Sequence, residues 1–193
     1  DKSEDKTELV CKKLAKLNPA IKLIKKNNLK KSSPSSNFFW LIQKVNLKKF
    51  DYISLSDQDD IWFNTKLKRA YECIKKYNSH GYSSNVIALY ENGKKKELLK
   101  NTKQTKYDFL FESAGAGCTY VLKSEEFHII KKLIIKKIKL IKKIENHDWF
   151  IYSCFRSNGL KWFIDKKVTM FYRQHNSNVI GANNSIKSGY NRL

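Results

Sequence analysis

The sequence predicts an α/β fold, in which helices pack against a layered sheet. Short apolar runs rich in aromatic and β-branched residues alternate with longer segments whose apolar residues recur at helical spacing. At 193 residues the chain has the length of one domain, at roughly 100–200 residues per domain. Hydrophobic residues make up 41% of the chain, which is enough to bury a core and excludes wholesale disorder.

The first quarter of the chain predicts two helices and two strands. Residues 5–17 place four apolar side chains near helical spacing, and IKLIK at 21–25 is a short strand candidate. The cluster SSPSS at 32–36 is typical of a turn or cap, and a helix is predicted to follow from Asn37 as NFFWLIQKV. The apolar run DYISLS at 51–56 predicts the second strand.

The middle of the chain continues the alternation. A helix is predicted at 64–77 with Asn64 as its N-cap, followed by strands at 85–90 and 116–123. A long helix is predicted at 124–146, because its opening SEE places polar and acidic residues where a helix N-terminus favours them.

The last elements are a helix at 148–159 and two closing strands at 161–165 and 168–173. The chain shows no internal repeats and no linker long enough to divide it, so residues 1–193 are predicted to form a single domain. Residues 183–193 are expected to be a flexible tail.

The chain is strongly basic, with 39 Lys and Arg against 18 Asp and Glu and a net charge of +21. Such a charge favours nucleic acid, an anionic membrane surface or phosphorylated small molecules as partners. The excess is nearly all lysine, in a chain also rich in Asn and Ile, as expected of an AT-rich genome. A nucleic-acid-binding function therefore rests on charge alone, because the sequence contains no recognisable binding motif.

The four cysteines lie far apart and form no CxxC pair, so neither a zinc site nor a disulfide framework is predicted. No apolar run approaches the ~20 residues of a membrane span, and no signal peptide opens the chain. The sequence predicts a cytoplasmic protein that could dock on a membrane face.

An acidic cluster, Asp57-Gln58-Asp59-Asp60, follows the predicted strand at 51–56. Ligands of open α/β sheets bind at the carboxyl ends of strands. Three carboxylates within four residues repel one another unless a cation or good solvation offsets their charge. Mg²⁺ or Mn²⁺ is the natural partner of such oxygens, although an acidic turn before the helix at 64–77 explains the same residues.

Three further motifs carry residues suited to the same chemistry. Asp148, after His147, could be a general base or the N-cap of its helix. The small residues AGAGCT at 114–119 let a backbone or a ligand come close. Arg173 and His175, in YRQH after the last strand, could contact phosphate or metal, or could belong to a surface loop.

Taken in order, SDQDDIW, GAGCTYV, NHDWF and YRQHNSNVIGA resemble the motif series of family 2 glycosyltransferases, in particular the bacterial rhamnosyltransferase-like members that build surface polysaccharide. The resemblance extends from Asp1 to about Ala182. It implies a GT-A fold, with a Rossmann-like mixed sheet flanked by helices, and transfer of a sugar from a nucleotide diphosphosugar.

The resemblance also implies a role for each candidate residue. Asp59 and His175 would hold Mg²⁺ or Mn²⁺, and Asp148 would be the inverting base that deprotonates the acceptor hydroxyl. The other residues implied at the donor site are Asp57, Asp60, Gly117, Cys118 and Arg173.

The implied function is metal-dependent transfer of a sugar with inversion, with dTDP-rhamnose as the best guess for the donor. The acceptor would be a surface polysaccharide or a lipid-linked glycan. Because DKSEDKT at 1–7 is similar to the end of the family's DDGSxDxT segment, we expect the chain to lack the first strands of the fold. A non-catalytic relic is therefore the alternative to an active enzyme.

The predicted helix at 124–146 has an apolar stripe and a lysine-rich face. A basic amphipathic helix can lie on anionic lipid, which would give peripheral contact with the cytoplasmic face of the bacterial inner membrane. We favour the alternative, in which the apolar stripe packs on the core and the lysines face solvent.

Overall fold

A computed structural model describes residues 5–25, 33–100 and 103–175. The helices in this part of the chain are α1 (Thr7–Leu17), α2 (Pro34–Lys44), α3 (Lys66–Lys76), α4 (Ser124–Lys136), α5 (Ile138–Ile141) and α6 (His147–Ser157). The strands are β1 (Tyr52–Ser54), β2 (Ile61–Trp62), β3 (Gly81–Tyr90), β4 (Lys95–Leu98), β5 (Val121–Lys123) and β6 (Trp162–Gln174).

The strands form one mixed sheet in the order β1-β5-β3-β6-β2, with β4 also paired to β3. The long central pair β3 and β6 is parallel, and the other pairs are antiparallel. The predicted α/β class with a mixed sheet is thus confirmed. The parallel pair brings the ends of β3 and β6 to the same edge of the sheet, which is where the candidate site lies.

A tight glycine contact holds the start of the central strand pair. Gly81 lies opposite Trp162 in the sheet, and a Cβ atom at Gly81 would come within 2.3 Å of the Trp162 ring. The indole packs edge-on against Tyr120, Tyr152 and Phe155, with ring centroids 4.7, 5.1 and 5.4 Å away. Only glycine leaves room for this aromatic centre of the core.

The helices form where capping and apolar spacing agree. Ser33 caps α2 by accepting a hydrogen bond from the Ser36 amide, and Pro34 occupies the first turn. Helix α4 buries Phe127, Ile130 and Ile134, which lie on one face at helical spacing. The alternative that we favoured for this segment, an apolar stripe packed on the core, is what the structure shows over α4.

Helix α3 is tied to the sheet by a buried carboxylate. Asp165 in β6 accepts hydrogen bonds from Arg69 Nε and Nη2, at 2.6 and 2.9 Å, and from the Tyr82 hydroxyl at 2.9 Å. Burial alone would raise the pKa of Asp165, but the hydrogen bonds from Arg69, Lys167 and Tyr82 outweigh it and lower the pKa.

Two predicted elements at 116–146 are shorter than expected. The strand predicted at 116–123 is confined to β5, because Gly117–Thr119 forms a 3₁₀ turn. The helix predicted at 124–146 is wrong as a continuous element: Lys137, with φ −116° and ψ 24°, leaves the helical region and separates α4 from α5.

Four other predictions also differ from the structure. Residues 21–25 form no strand, and the two closing strands are one strand, β6. Helix α3 has Thr65 rather than Asn64 at its N-cap, without a side-chain hydrogen bond. Strands β2 and β4 were missed because they are two and four residues long, too short for an alternating pattern to show.

The expected tail at 183–193 lies outside the described residues. None of the helices in the described ranges combines the length and the apolarity that crossing a bilayer requires.

Candidate active site

The acidic cluster lies in the loop that leaves β1 and enters β2. Asp57 and Asp60 are half-buried there and meet Cys118, which is buried in the 3₁₀ turn before β5. One ligand atom from each of these three residues lies within 4.8 Å of the others. Strands β1 and β5 are neighbours in the sheet, and this pairing brings residue 118 to the acidic loop.

The end of β6 closes over the same loop. The His175 Nε2 atom lies 2.8 Å from Asp59 Oδ2, and the Arg173 backbone amide donates to Asp60 Oδ1 at 3.2 Å. These contacts join residues more than 110 positions apart in the chain. The sequence placed both motifs after strands, and the pairing of β2 with β6 brings them together.

Asp148 lies in the first turn of α6, against Gly117. A Cβ atom at Gly117 would lie 3.0 Å from Asp148 Cβ and 3.0 Å from His147 Nε2. Glycine therefore lets the start of α6 approach the turn that carries Cys118. Asp148 is not the N-cap, a role that falls to Asn146; its Oδ1 accepts instead from the Trp149 amide at 2.7 Å.

The carboxylates share one electrostatic environment. Burial first, and then the charges of Asp60, Asp59 and Asp148, raise the pKa of Asp57 to about 6. Burial also raises the pKa of Asp60. The charge of Asp148, in α6, thus contributes to the raised pKa of Asp57 in the acidic loop.

The oxygens of this site fit a hard divalent cation. Asp60 Oδ2 is buried and has no hydrogen-bond partner among the residues that the structure describes, so a lone pair is left for another ligand. Burial, followed by the charges of Asp60 and Asp57, raises the pKa of Cys118 well above its usual value. Because thiols bind metal as thiolates, Cys118 is better suited to supporting the carboxylates than to ligating a cation.

A buried lysine below the loop was missed by sequence reasoning. Lys66 is fully buried, and its Nζ atom lies 3.7 Å from the centroid of the Trp62 ring. Burial lowers the pKa of Lys66 to about 8, despite the opposing effects of Cys118 and Asp60. Helical spacing could have found it, because Lys66 lies four residues before Ala70 and seven before Cys73, on the buried face of α3.

An open cavity of about 370 Å³ lies beside the end of β6. Arg173, Gln174 and His175 form one side of it, Ile61 in β2 another, and the end of β3 with its following turn a third. The pair Asp59–His175 thus lies at its border, between this cavity and the acidic loop.

The chain is 45% identical to the dTDP-rhamnosyl transferase RfbG of Shigella flexneri over 193 residues. The match covers 100% of this chain and 67% of the length of the relative. The chain belongs to the rhamnosyltransferase-like glycosyltransferases. A comparison with models of protein families finds no match.

The resemblance drawn from the four motifs is therefore confirmed for the rhamnosyltransferase-like family. The structure brings described residues of all four motifs to one region: the acidic loop, the turn with Gly117 and Cys118, the start of α6 with Asp148, and the end of β6 up to His175. The roles of the individual residues remain predictions.

Proposed function

We propose that the chain is a single GT-A-fold domain that transfers rhamnose from dTDP-rhamnose to a glycan hydroxyl, with inversion and with a divalent cation. The observation that carries this proposal is the meeting of the acidic loop, Gly117 and Asp148 at one edge of the sheet. That the Shigella flexneri relative is a dTDP-rhamnosyl transferase supports this donor.

The acidic loop and the end of β6 would bind the diphosphate. Asp59 and His175, 2.8 Å apart, would hold Mg²⁺ or Mn²⁺, with Asp60 and Asp57 as further oxygen donors. When bound, such a cation supplies positive charge that stabilises the departing diphosphate. Arg173, which lines the neighbouring cavity, would contact phosphate oxygens.

Asp148 would act on the acceptor. As the sugar leaves the diphosphate, its anomeric carbon gains oxocarbenium character. A carboxylate on the opposite face of the ring can take the proton of the incoming hydroxyl, which permits in-line attack with inversion. Gly117 lets this base pack against the turn that carries Cys118, because a side chain at residue 117 would crowd the Asp148 Cβ atom. The acceptor class that we propose is a surface-polysaccharide or lipid-linked glycan.

Calorimetry with dTDP and Mn²⁺ tests the donor site. We expect Asp59→Ala to weaken Mn²⁺-dependent binding of dTDP by about 10–100-fold, as loss of a group at a metal site usually does. The matched control is Asp51→Ala, which removes an exposed carboxylate shortly before the loop and should leave the affinity unchanged. Equal affinities for the Asp59 variant and the wild-type chain would contradict the proposed metal site.

A further inference from the structure

Ser35 connects the first turn of α2 with the first turn of α6. This serine is buried, and its hydroxyl oxygen contacts three groups that lie 110 or 112 positions later in the chain. The hydroxyl donates to the Glu145 carbonyl oxygen and accepts from the His147 amide at 3.1 Å. Its third contact is with His147 Nδ1, at 3.2 Å.

The hydrogen count of this hydroxyl determines the tautomer of His147. A serine hydroxyl has one hydrogen to donate and two lone pairs with which to accept. The Glu145 carbonyl oxygen can only accept, so it takes the single hydrogen of Ser35. The contact at 3.2 Å therefore requires His147 Nδ1 to carry a hydrogen and donate it to Ser35. In the neutral imidazole, Nε2 is then a bare acceptor.

The surroundings of His147 favour its neutral form. The imidazole stacks on Phe38, with ring centroids 4.2 Å apart and an interplanar angle of 18°. Its Nε2 atom is buried against Gly117 and has no hydrogen-bond partner within the described residues. Burial lowers the pKa of His147, against the opposing charge of Asp148.

A neutral His147 matters for the carboxylate beside it. An imidazolium next to Asp148 would attract the carboxylate and make it a weaker base. A second hydrogen on Nε2 would also be buried against Gly117 without an acceptor among the described residues. Both effects are avoided when the hydrogen is kept on Nδ1, on the side of Ser35.

We propose that Ser35 is a positioning residue for Asp148: its hydroxyl anchors the start of α6 and holds His147 as the neutral tautomer with hydrogen on Nδ1. This inference rests on the proposed function in one respect, the role of Asp148 as the base. The tautomer itself follows from the hydrogen bonds and does not depend on that role.

Nitrogen NMR of the histidine side chains tests the tautomer directly. With the full chain labelled with ¹⁵N, we expect His147 to show a protonated Nδ1 and an unprotonated Nε2 at neutral pH. The His147→Phe variant assigns the signal among the four histidines of the chain. In Ser35→Ala we expect this pattern to change, because Nδ1 loses its acceptor. The control Ser36→Ala, in the same helical turn, should leave it unchanged.

Turnover tests the positioning role. With dTDP-rhamnose as donor and octyl α-L-rhamnoside as acceptor probe, we expect Ser35→Ala to lower kcat by about 10-fold, because a small displacement of a catalytic group is costly. The donor KM and the Mn²⁺-dependent affinity for dTDP should stay unchanged. Ser35→Thr keeps the hydroxyl and should retain both the tautomer and most of the turnover, which separates this role from a folding defect.

The possible failures are distinguishable. An Nε2-protonated His147 in the wild-type chain, or a Ser35→Ala variant with wild-type kcat, would overturn the inference. Absence of donor binding and of turnover in the wild-type chain would instead count against the proposed function, since the NMR measurement needs neither.

Discussion

At the scale of single residues, burial and neighbouring negative charge act in the same direction in the acidic loop. Asp57 is half-buried beside Asp59 and Asp60, and its pKa of about 6 reflects burial first and neighbouring charges second. Both effects disfavour the ionised form relative to a free aspartate, although a pKa of about 6 leaves Asp57 mostly ionised at neutral pH. A bound cation would reverse the second effect, because positive charge among carboxylates favours their ionised forms.

Asp148 is the residue for which a substitution is most informative. We expect Asp148→Asn to lower turnover by about 10²–10⁴, the usual contribution of a general base, because the amide cannot accept the proton. Initial rates with dTDP-rhamnose and the rhamnoside probe would measure the loss. Glu145→Gln is the matched control, since it removes an exposed charge just before α6 without changing the carboxylate. Near-normal turnover in the Asp148 variant would exclude this residue as the base.

At the scale of elements, the parallel pair of β3 and β6 positions the site. Strand β6 pairs with β3 over most of its length and with β2 near its end, so it links the core at Trp162 to His175 at the acidic loop. A substitution at the start of this pair should therefore lower the stability of the fold more than it changes the chemistry of the site.

Gly81 is the residue at which a substitution tests this effect on stability. We expect Gly81→Ala to lower the free energy of unfolding by about 2–4 kcal/mol, because the new methyl group would overlap the Trp162 ring. Urea unfolding would measure it. Gly93→Ala is a useful comparison: it meets no atom within 4 Å and should cost only the strain of its positive φ, about 1 kcal/mol. Equal effects of the two substitutions would argue against the tight contact.

Helix α4 retains a surface that suits the predicted membrane contact. Although Phe127, Ile130 and Ile134 are buried, Ile129 and Leu133 remain exposed next to lysines. If this surface lies on a membrane, the chain should float with anionic vesicles and not with zwitterionic ones, and Ile129→Asn should weaken this binding. Equal behaviour with both vesicle types would contradict the contact and leave α4 as a core helix with a basic solvent face.

At the scale of the whole molecule, donor binding is the property that separates an active glycosyltransferase from a non-catalytic relic. An active glycosyltransferase and a non-catalytic relic share the same ancestry and sheet, but only the former stabilises itself by binding nucleotide sugar. The net charge of +21 does not distinguish these two possibilities, because the basic residues are spread along the sequence.

A thermal-shift measurement separates the two. With Mn²⁺ and dTDP-rhamnose at 100 times the dissociation constant, binding should stabilise the chain by about 2.7 kcal/mol. For a chain of this size that corresponds to a rise in Tm of roughly 5–10 °C. The control is dTDP-rhamnose with a metal chelator, which should give a smaller rise. No shift at any concentration of nucleotide sugar would favour the relic, and a shift with DNA alone at physiological salt would favour the nucleic-acid reading.

The sequence by itself determined the α/β class, most helices, the family and the motif residues, because these depend on local spacing and on short runs of particular residue types. Only the tertiary structure decided that Asp59 lies beside His175, that the Lys66 ammonium lies over the Trp62 ring and that Ser35 reaches α6. Such contacts join residues on separate elements, and strand pairing and helix packing set them. Local patterns missed β2 and β4, since two to four residues cannot express a period. They also missed the break at Lys137, because the apolar spacing continues across it.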